Sequence, residues 1–287
     1  MASSNERIVV VTGASRGAGR GIAVALGQTG ATVYVTGRTA GGTPGALGTV
    51  DDTAAAVTAA GGTGVAVVCD HSDDEQVQRL FERVESDHGG LDILVNNATA
   101  IPAGLTERKP FWEKSLDQVD ILDVGMRSHY VATYYAAPLL VADGGGLVVN
   151  TSSPGGRCYM HGPAYGSGKA GVDKMAHDMA HDFEPYSVAV VSIWMGILLT
   201  EQIKAGLAAD PDGPLKQMAA MAEHPEFTGR LIDAIANDPG RMSRSGQVFW
   251  GAELAREYGV TDVDGSTPNS HREWLGPPTT YSDAVVE

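Results

Sequence analysis

The sequence predicts one α/β domain with a doubly wound parallel sheet, on three observations. Short β-branched apolar runs recur along the chain, segments of helical spacing separate them, and a glycine-rich turn joins the first run to the first helical segment. Continuous apolar runs suit strands buried on both faces of a parallel sheet. In chain order the expected strands are 8–11, 32–35, 65–68, 93–95, 147–149 and 188–193. The expected helices are 19–28, 51–60, 73–87, 116–141 and 164–183. The third opens with Asp73, Asp74 and Glu75, acids that suit a helix N-terminus. The segment 198–230 breaks the rhythm: Pro211, Pro214 and Pro225 interrupt it, and Met218 and Met221 stand among alanines. It reads as a lid-like insertion within a domain spanning residues 1–261. From 262 to 287 the chain is polar and carries Pro268, Pro277 and Pro278, a tail for which packing on a neighbouring subunit is one arrangement.

The 287 residues hold 20 basic and 35 acidic side chains, a net charge of −15. That argues against an extended nucleic-acid surface or an anionic membrane as partner. An anionic ligand must be held by local cations and backbone N–H groups. Two cysteines, Cys69 and Cys158, make no disulfide framework and fit a reducing compartment. No apolar stretch reaches the length of a membrane span, and residues 1–7 are polar, so a cytoplasmic protein is expected.

Three motifs carry chemistry. Residues 12–19, T-G-A-S-R-G-A-G, follow the first strand and open the first helix. Glycines there let the backbone turn and approach a pyrophosphate, and the helix N-terminus offers free N–H groups. Gly37-Arg38 ends the second strand, where a carboxylate would favour a ribose 2′-hydroxyl. Arg38 and Arg16 offer cations instead, which favours the 2′-phosphate of NADP(H). Tyr165 and Lys169 are four apart and share a helix face, with Ser153 at the end of the preceding strand. An ammonium beside a phenol lowers its pKa from about 10 and makes it usable as an acid–base group.

Together these motifs resemble the short-chain dehydrogenase/reductase family over residues 7–255, which implies a Rossmann-type fold. The resemblance assigns Ser153, Tyr165 and Lys169 as catalytic. It assigns Gly13, Ser15, Arg16, Gly17, Gly19, Arg38, Asp70, Asn97, Ala98, Ile197 and Thr200 to the cofactor, with Tyr165 and Lys169 shared. Within the family the chain is similar to the group around dehydrogenase/reductase member 1, through residues 124–130, 152–155 and 258–265. Three positions depart from the family pattern. Gly125 stands where an asparagine usually completes a proton relay, Met195 replaces the proline of a Pro-Gly pair, and Thr99 replaces a glycine. A helix-interior glycine also predicts a local kink at 125.

The expectation is an NADP(H)-dependent carbonyl reductase or alcohol dehydrogenase, a homodimer or homotetramer. Leu198, Leu199, Met218, Met221, Phe111 and Trp112 suggest a bulky apolar substrate. The alternative is a non-catalytic NADP-binding sensor or scaffold that kept the fold. His177 and His181 have metal-ligand spacing, yet no further ligands accompany them and no metal is expected.

Overall fold

The computed structural model describes residues 7–142 and 144–286, so residues 1–6 of the expected domain and residue 287 of the expected tail lie outside the described residues. Seven parallel strands form one sheet in the order β3-β2-β1-β4-β5-β6-β7. They are β1 Ile8–Val11, β2 Thr32–Gly37, β3 Thr63–Val68, β4 Ile93–Asn96, β5 Gly146–Ser152, β6 Val188–Trp194 and β7 Val248–Trp250. The chain runs outward from β1 to β3, then returns to start β4 beside β1. Loops at the C-terminal ends of β1 and β4 therefore splay apart and leave a crevice, the usual ligand position in such sheets.

Both faces of the sheet are buried. Helices α1 (Gly17–Gly27) and α2 (Val50–Ala59) cover one face with Ile22, Leu26, Val50 and Val57. Helix α3 (Asp74–His88) lies on the other, burying Val77, Leu80, Phe81 and Val84 at helical spacing. Asp73 caps α3 by accepting from the backbone N–H groups of Glu75 and Gln76, and Gly89 ends it in the left-handed conformation.

The predicted helix 116–141 is broken. A 3₁₀ turn (Leu116–Val119), the single turn α4 (Asp120–Leu122) and a π turn (Asp123–Arg127) lead into α5 (Ser128–Ala142). The break centres on Gly125, at φ 148° and ψ −10°, so the kink expected there is present. Helix α6 (Pro163–Phe183) is continuous and carries Tyr165 and Lys169.

The segment 198–230 divides in two. Helices α7 (Glu201–Ala209) and α8 (Leu215–Ala220) contribute no buried residue. Helix α9 (Pro225–Asn237) instead buries Phe227, Leu231, Ile232 and Ile235 against α1 and the sheet. A bridge between Leu198 and Glu223 closes the neck between them. The proline at position 225 starts a core helix rather than interrupting a lid, because proline at the first helical position gives up no hydrogen bond.

Helix α10 (Gly251–Tyr258) follows β7. Beyond it, Asp262 is buried, and the chain runs back over the β6–β7 edge through the short helix α11 (Arg272–Leu275). Leu275 and Tyr281 pack on a cluster of Trp194, Val248 and Trp250. The indole N–H of Trp250 donates to the carbonyl of Gly276 at 3.0 Å. Among the described residues of this segment, Asp262, Leu275, Gly276 and Tyr281 thus anchor it to its own chain.

Candidate active site

The crevice is built from the ends of β1, β4, β5 and β6. Thr12, buried after β1, holds the first two together: its hydroxyl accepts from the backbone N–H groups of Asn97 and Ala98 at 2.9 and 3.0 Å. The Asn97 amide donates back to the carbonyls of Thr12 and Gly13 at 2.9 and 3.1 Å. This clamp requires glycine at two loop positions. A Cβ on Gly13 would stand 2.6 Å from Ala98 Cα, and one on Gly19 would stand 2.5 Å from the Asn97 amide. Ser15 and Arg16 continue the loop, and Arg16 supplies no side-chain cap to α1, so the first N–H groups of that helix point free.

One of those N–H groups is engaged by an anion of the chain itself. Gly17 N–H donates to the carboxylate of Glu201 at 2.9 Å, with Arg20 at 3.9 Å from the same carboxylate. Thr200, whose hydroxyl caps α7, places its methyl group 3.8 Å from where a Gly17 Cβ would be. The loop therefore accepts a negative group at the position where a cofactor phosphate would sit, and its residues fit a dinucleotide. Ile197 lies in the same strap, its carbonyl accepting from Glu223 N–H at 2.8 Å.

Arg38 is exposed at the end of β2, and Arg16 is exposed across the loop from it. Neither guanidinium makes an ion pair or hydrogen bond among the described residues. Burial opposes the charged form of Asp70, yet hydrogen bonds from the Ser72 backbone and hydroxyl, helped by the Arg38 charge, hold its carboxyl below the ordinary range.

Ser153, Tyr165 and Lys169 converge. The Ser153 and Tyr165 hydroxyls are 2.9 Å apart, and Gly155 N–H donates to the serine oxygen at 3.2 Å. Lys169 is buried, donates to the carbonyl of Thr151 at 3.1 Å, and has its ammonium 6.0 Å from the Tyr165 ring centre. Burial lowers the lysine to about 8, against the pull of Asp173. Burial also raises the Tyr165 pKa, with Ser153 acting in the opposite sense. The sequence suggested a lowered phenol; in the structure desolvation outweighs the stabilisation, and Tyr165 holds its proton at neutral pH. A protonated phenol hydrogen-bonded to a serine is a proton donor aimed at an oxygen in the crevice.

The profile of the short chain dehydrogenase family matches residues 7–209. The chain belongs to that family. Dehydrogenase/reductase SDR family member 1 of Mus musculus is 45% identical over 269 residues, covering 90% of this chain and 84% of the mouse protein. The Homo sapiens protein of the same name is 44% identical over 274 residues, covering 92% and 85%. Among solved structures, a levodione reductase aligns with a TM-score of 0.72 at 21% identity, over 87% of this chain and 98% of its own, a likeness of fold. A Xanthomonas campestris structure provisionally described as a dehydrogenase aligns at 0.76 and 27% identity, over 91% and 93%. This protein is accordingly an oxidoreductase of the family, whose members bind NAD(P)(H).

Asp173 and Glu223 were not singled out from sequence, and His129 was given no role there. Asp173 is buried one turn beyond Lys169 and accepts from Ser192 Oγ at 2.6 Å and Trp194 Nε1 at 2.8 Å. Its i+4 and i+8 spacing from Lys169 and Tyr165 was a usable signal. Glu223, also buried, accepts from Gly196 N–H at 3.0 Å and pins the loop after β6. Burial raises it to about 7. His129 binds the Ala98 carbonyl at 3.1 Å from deep in the core. His177, one of the spaced pair, binds the Ser282 carbonyl at 3.1 Å. Phe111 and Trp112 lie exposed, edge to face, on the loop between β4 and α4.

Proposed function

We propose that the protein is an NADP(H)-dependent carbonyl reductase that also runs as an alcohol dehydrogenase. The 2.9 Å contact between Ser153 and a protonated Tyr165, with buried Lys169 one turn away, carries the reading. The nicotinamide, when bound, supplies or accepts the hydride. Ser153 orients the carbonyl oxygen by hydrogen bonding. Tyr165 transfers its phenolic proton to that oxygen as negative charge develops. Lys169 stabilises the resulting phenolate and holds the nicotinamide ribose. Asn97, Ala98, Ile197 and Thr200 line the nicotinamide end, while Gly13, Ser15, Gly17 and Gly19 hold the pyrophosphate. The two unspent guanidiniums of Arg16 and Arg38 support NADP(H) over NAD(H), since each matches a phosphate bidentately. Asp70 lies toward the adenine.

The exposed Phe111, Trp112 and Met221, on the segments that follow β4 and β6, support a bulky apolar substrate. Tyr130 and Tyr134, exposed on α5, support a homodimer or homotetramer. A cytoplasmic location belongs to the same reading; among the described residues no helix is long and apolar enough to cross a membrane. A non-catalytic sensor would have no use for the Ser153–Tyr165 contact.

The test is NADPH consumption with a panel of aromatic and alicyclic ketones. Wild type should turn over and Tyr165→Phe should lose turnover while still binding NADPH, because only the transferable proton is gone. A Tyr165→Phe enzyme near the wild-type rate would show that the phenol is not the acid.

A further inference from the structure

The turn before α6 places a histidine over the catalytic phenol. His161 sits at φ 60°, in the left-handed region, uncommon for a residue with a side chain though histidine is among the few that enter it more often. Gly162 follows at φ 107° and precedes Pro163, the first residue of α6. This tight reversal folds the imidazole back against Tyr165, with ring centres 5.0 Å apart and planes at 81°. The backbone is fastened there from outside: Lys114 donates to the His161 carbonyl at 3.1 Å and to the Leu105 carbonyl at 2.8 Å. One ammonium thus ties the loop after β4 to the turn carrying the histidine. A left-handed residue fastened by such a tether keeps its side chain in one orientation, which suits a group presented at a site.

The imidazole itself is unspent. Its ring nitrogens make no hydrogen bond among the described residues, and it is exposed beside the phenol. Burial of its inner edge, with the Lys114 charge, keeps its pKa below the ordinary histidine value, so at neutral pH it offers one N–H donor and one nitrogen acceptor. A purely apolar ketone lying on Tyr165 would cover that pair and leave it unsatisfied.

We propose that His161 is a specificity-determining residue that hydrogen-bonds a second oxygen of the substrate, placed next to the carbonyl that Tyr165 protonates. The preferred substrate class is an apolar ketone with a neighbouring carbonyl or hydroxyl group, a vicinal diketone or hydroxyketone. This rests on the carbonyl-reductase reading and narrows it.

The experiment compares 1-phenylpropane-1,2-dione with propiophenone in wild type, His161→Phe and His161→Asn, each checked for thermal stability and NADPH affinity. Phenylalanine keeps the edge contact on Tyr165 and removes both nitrogens. Asparagine tolerates a positive φ and withdraws the polar group from the site, so it reads the same ratio should the phenylalanine variant fold poorly. In both variants kcat/KM for the dione should fall about tenfold or more while that for propiophenone stays within about threefold. An equal fall for both ketones would mean that the ring only packs against Tyr165, and an unchanged ratio would mean that it does not meet the substrate; either overturns the proposal. Wild type that reduces propiophenone but shows no variant effect sinks the inference alone. Wild type that reduces neither ketone sinks the carbonyl-reductase reading and the inference with it.

Discussion

Placing asparagine at position 125 should destabilise the protein, and Thr99 should account for about half of the loss. Gly125 stands at φ 148° and ψ −10°, where a side chain costs about 1–3 kcal/mol. A Cβ there would also lie 2.8 Å from Thr99 Oγ1, and forcing such a contact at the buried Gly125 costs a further 1–3 kcal/mol or so. Together the expected loss is roughly 2–6 kcal/mol. An unfolding entropy of about 2.1 cal/mol/K per residue gives about 0.6 kcal/mol/K for 287 residues, so Tm should fall by roughly 3–10 °C. In a Thr99→Ala background the same Gly125→Asn change should cost about 1–3 kcal/mol less, because the hydroxyl is gone and only backbone strain remains. The assay is thermal unfolding of the four proteins in a double-mutant cycle. Additive losses, or a Gly125→Asn protein melting with wild type, would refute the coupling. The two departures from the family pattern, threonine at 99 and glycine at 125, would then be unrelated.

Arg38→Asp should weaken NADPH and favour NADH relative to it, by removing a guanidinium and adding repulsion at the 2′-phosphate; an unchanged affinity ratio in paired titrations would remove Arg38 from the cofactor site. Glu201→Gln should tighten NADPH binding severalfold, about 1 kcal/mol, because the Gly17 N–H no longer faces a competing carboxylate; weaker binding would show that Glu201 supports the loop instead. His71 and His129 are kept neutral by burial, at about 4 and about 3, while the unfolded chain takes those protons near pH 6.5. Below pH 6.5 the unfolded state therefore binds more protons, and stability is lost as pH falls, by about 1.4 kcal/mol per unit for each histidine. Glu223, raised to about 7, works in the opposite sense between 4.5 and 7 and offsets one of them. His71→Asn should accordingly flatten the stability curve between pH 6.5 and 4.5 by about 1.4 kcal/mol per unit in urea unfolding, and a curve parallel to wild type would refute the assignment.

Six of the seven strands were legible because their apolar runs are continuous and their neighbours polar. The seventh, Val248–Trp250, is three residues long and has no periodicity to read. Helix α9 was hidden by Pro225 and by its place behind the proline-rich 211–214 stretch, although its buried face repeats at helical spacing. At the candidate site, the glycine-rich loop 12–19 and the convergence of Ser153, Tyr165 and Lys169 come from local motifs, which spacing makes visible in the sequence. Glu201, Glu223 and His161 act through contacts across 184, 27 and 47 residues of chain, and pairings of that range leave no trace in a single sequence.

The segment crossing the β6–β7 edge is held by side chains of the body that reach its main chain. Trp250 binds the Gly276 carbonyl, Arg157 the Pro278 carbonyl, and His177, on α6, the Ser282 carbonyl. A carbonyl is present whatever residue carries it. Substitution can therefore alter positions 278 and 282 without loosening the path, while Gly276, at φ 90° and ψ 168°, is held to glycine by its backbone, and Leu275 and Tyr281, which supply apolar area, are not free to change in this way. The track of this segment is written in the body, and its own spelling can drift.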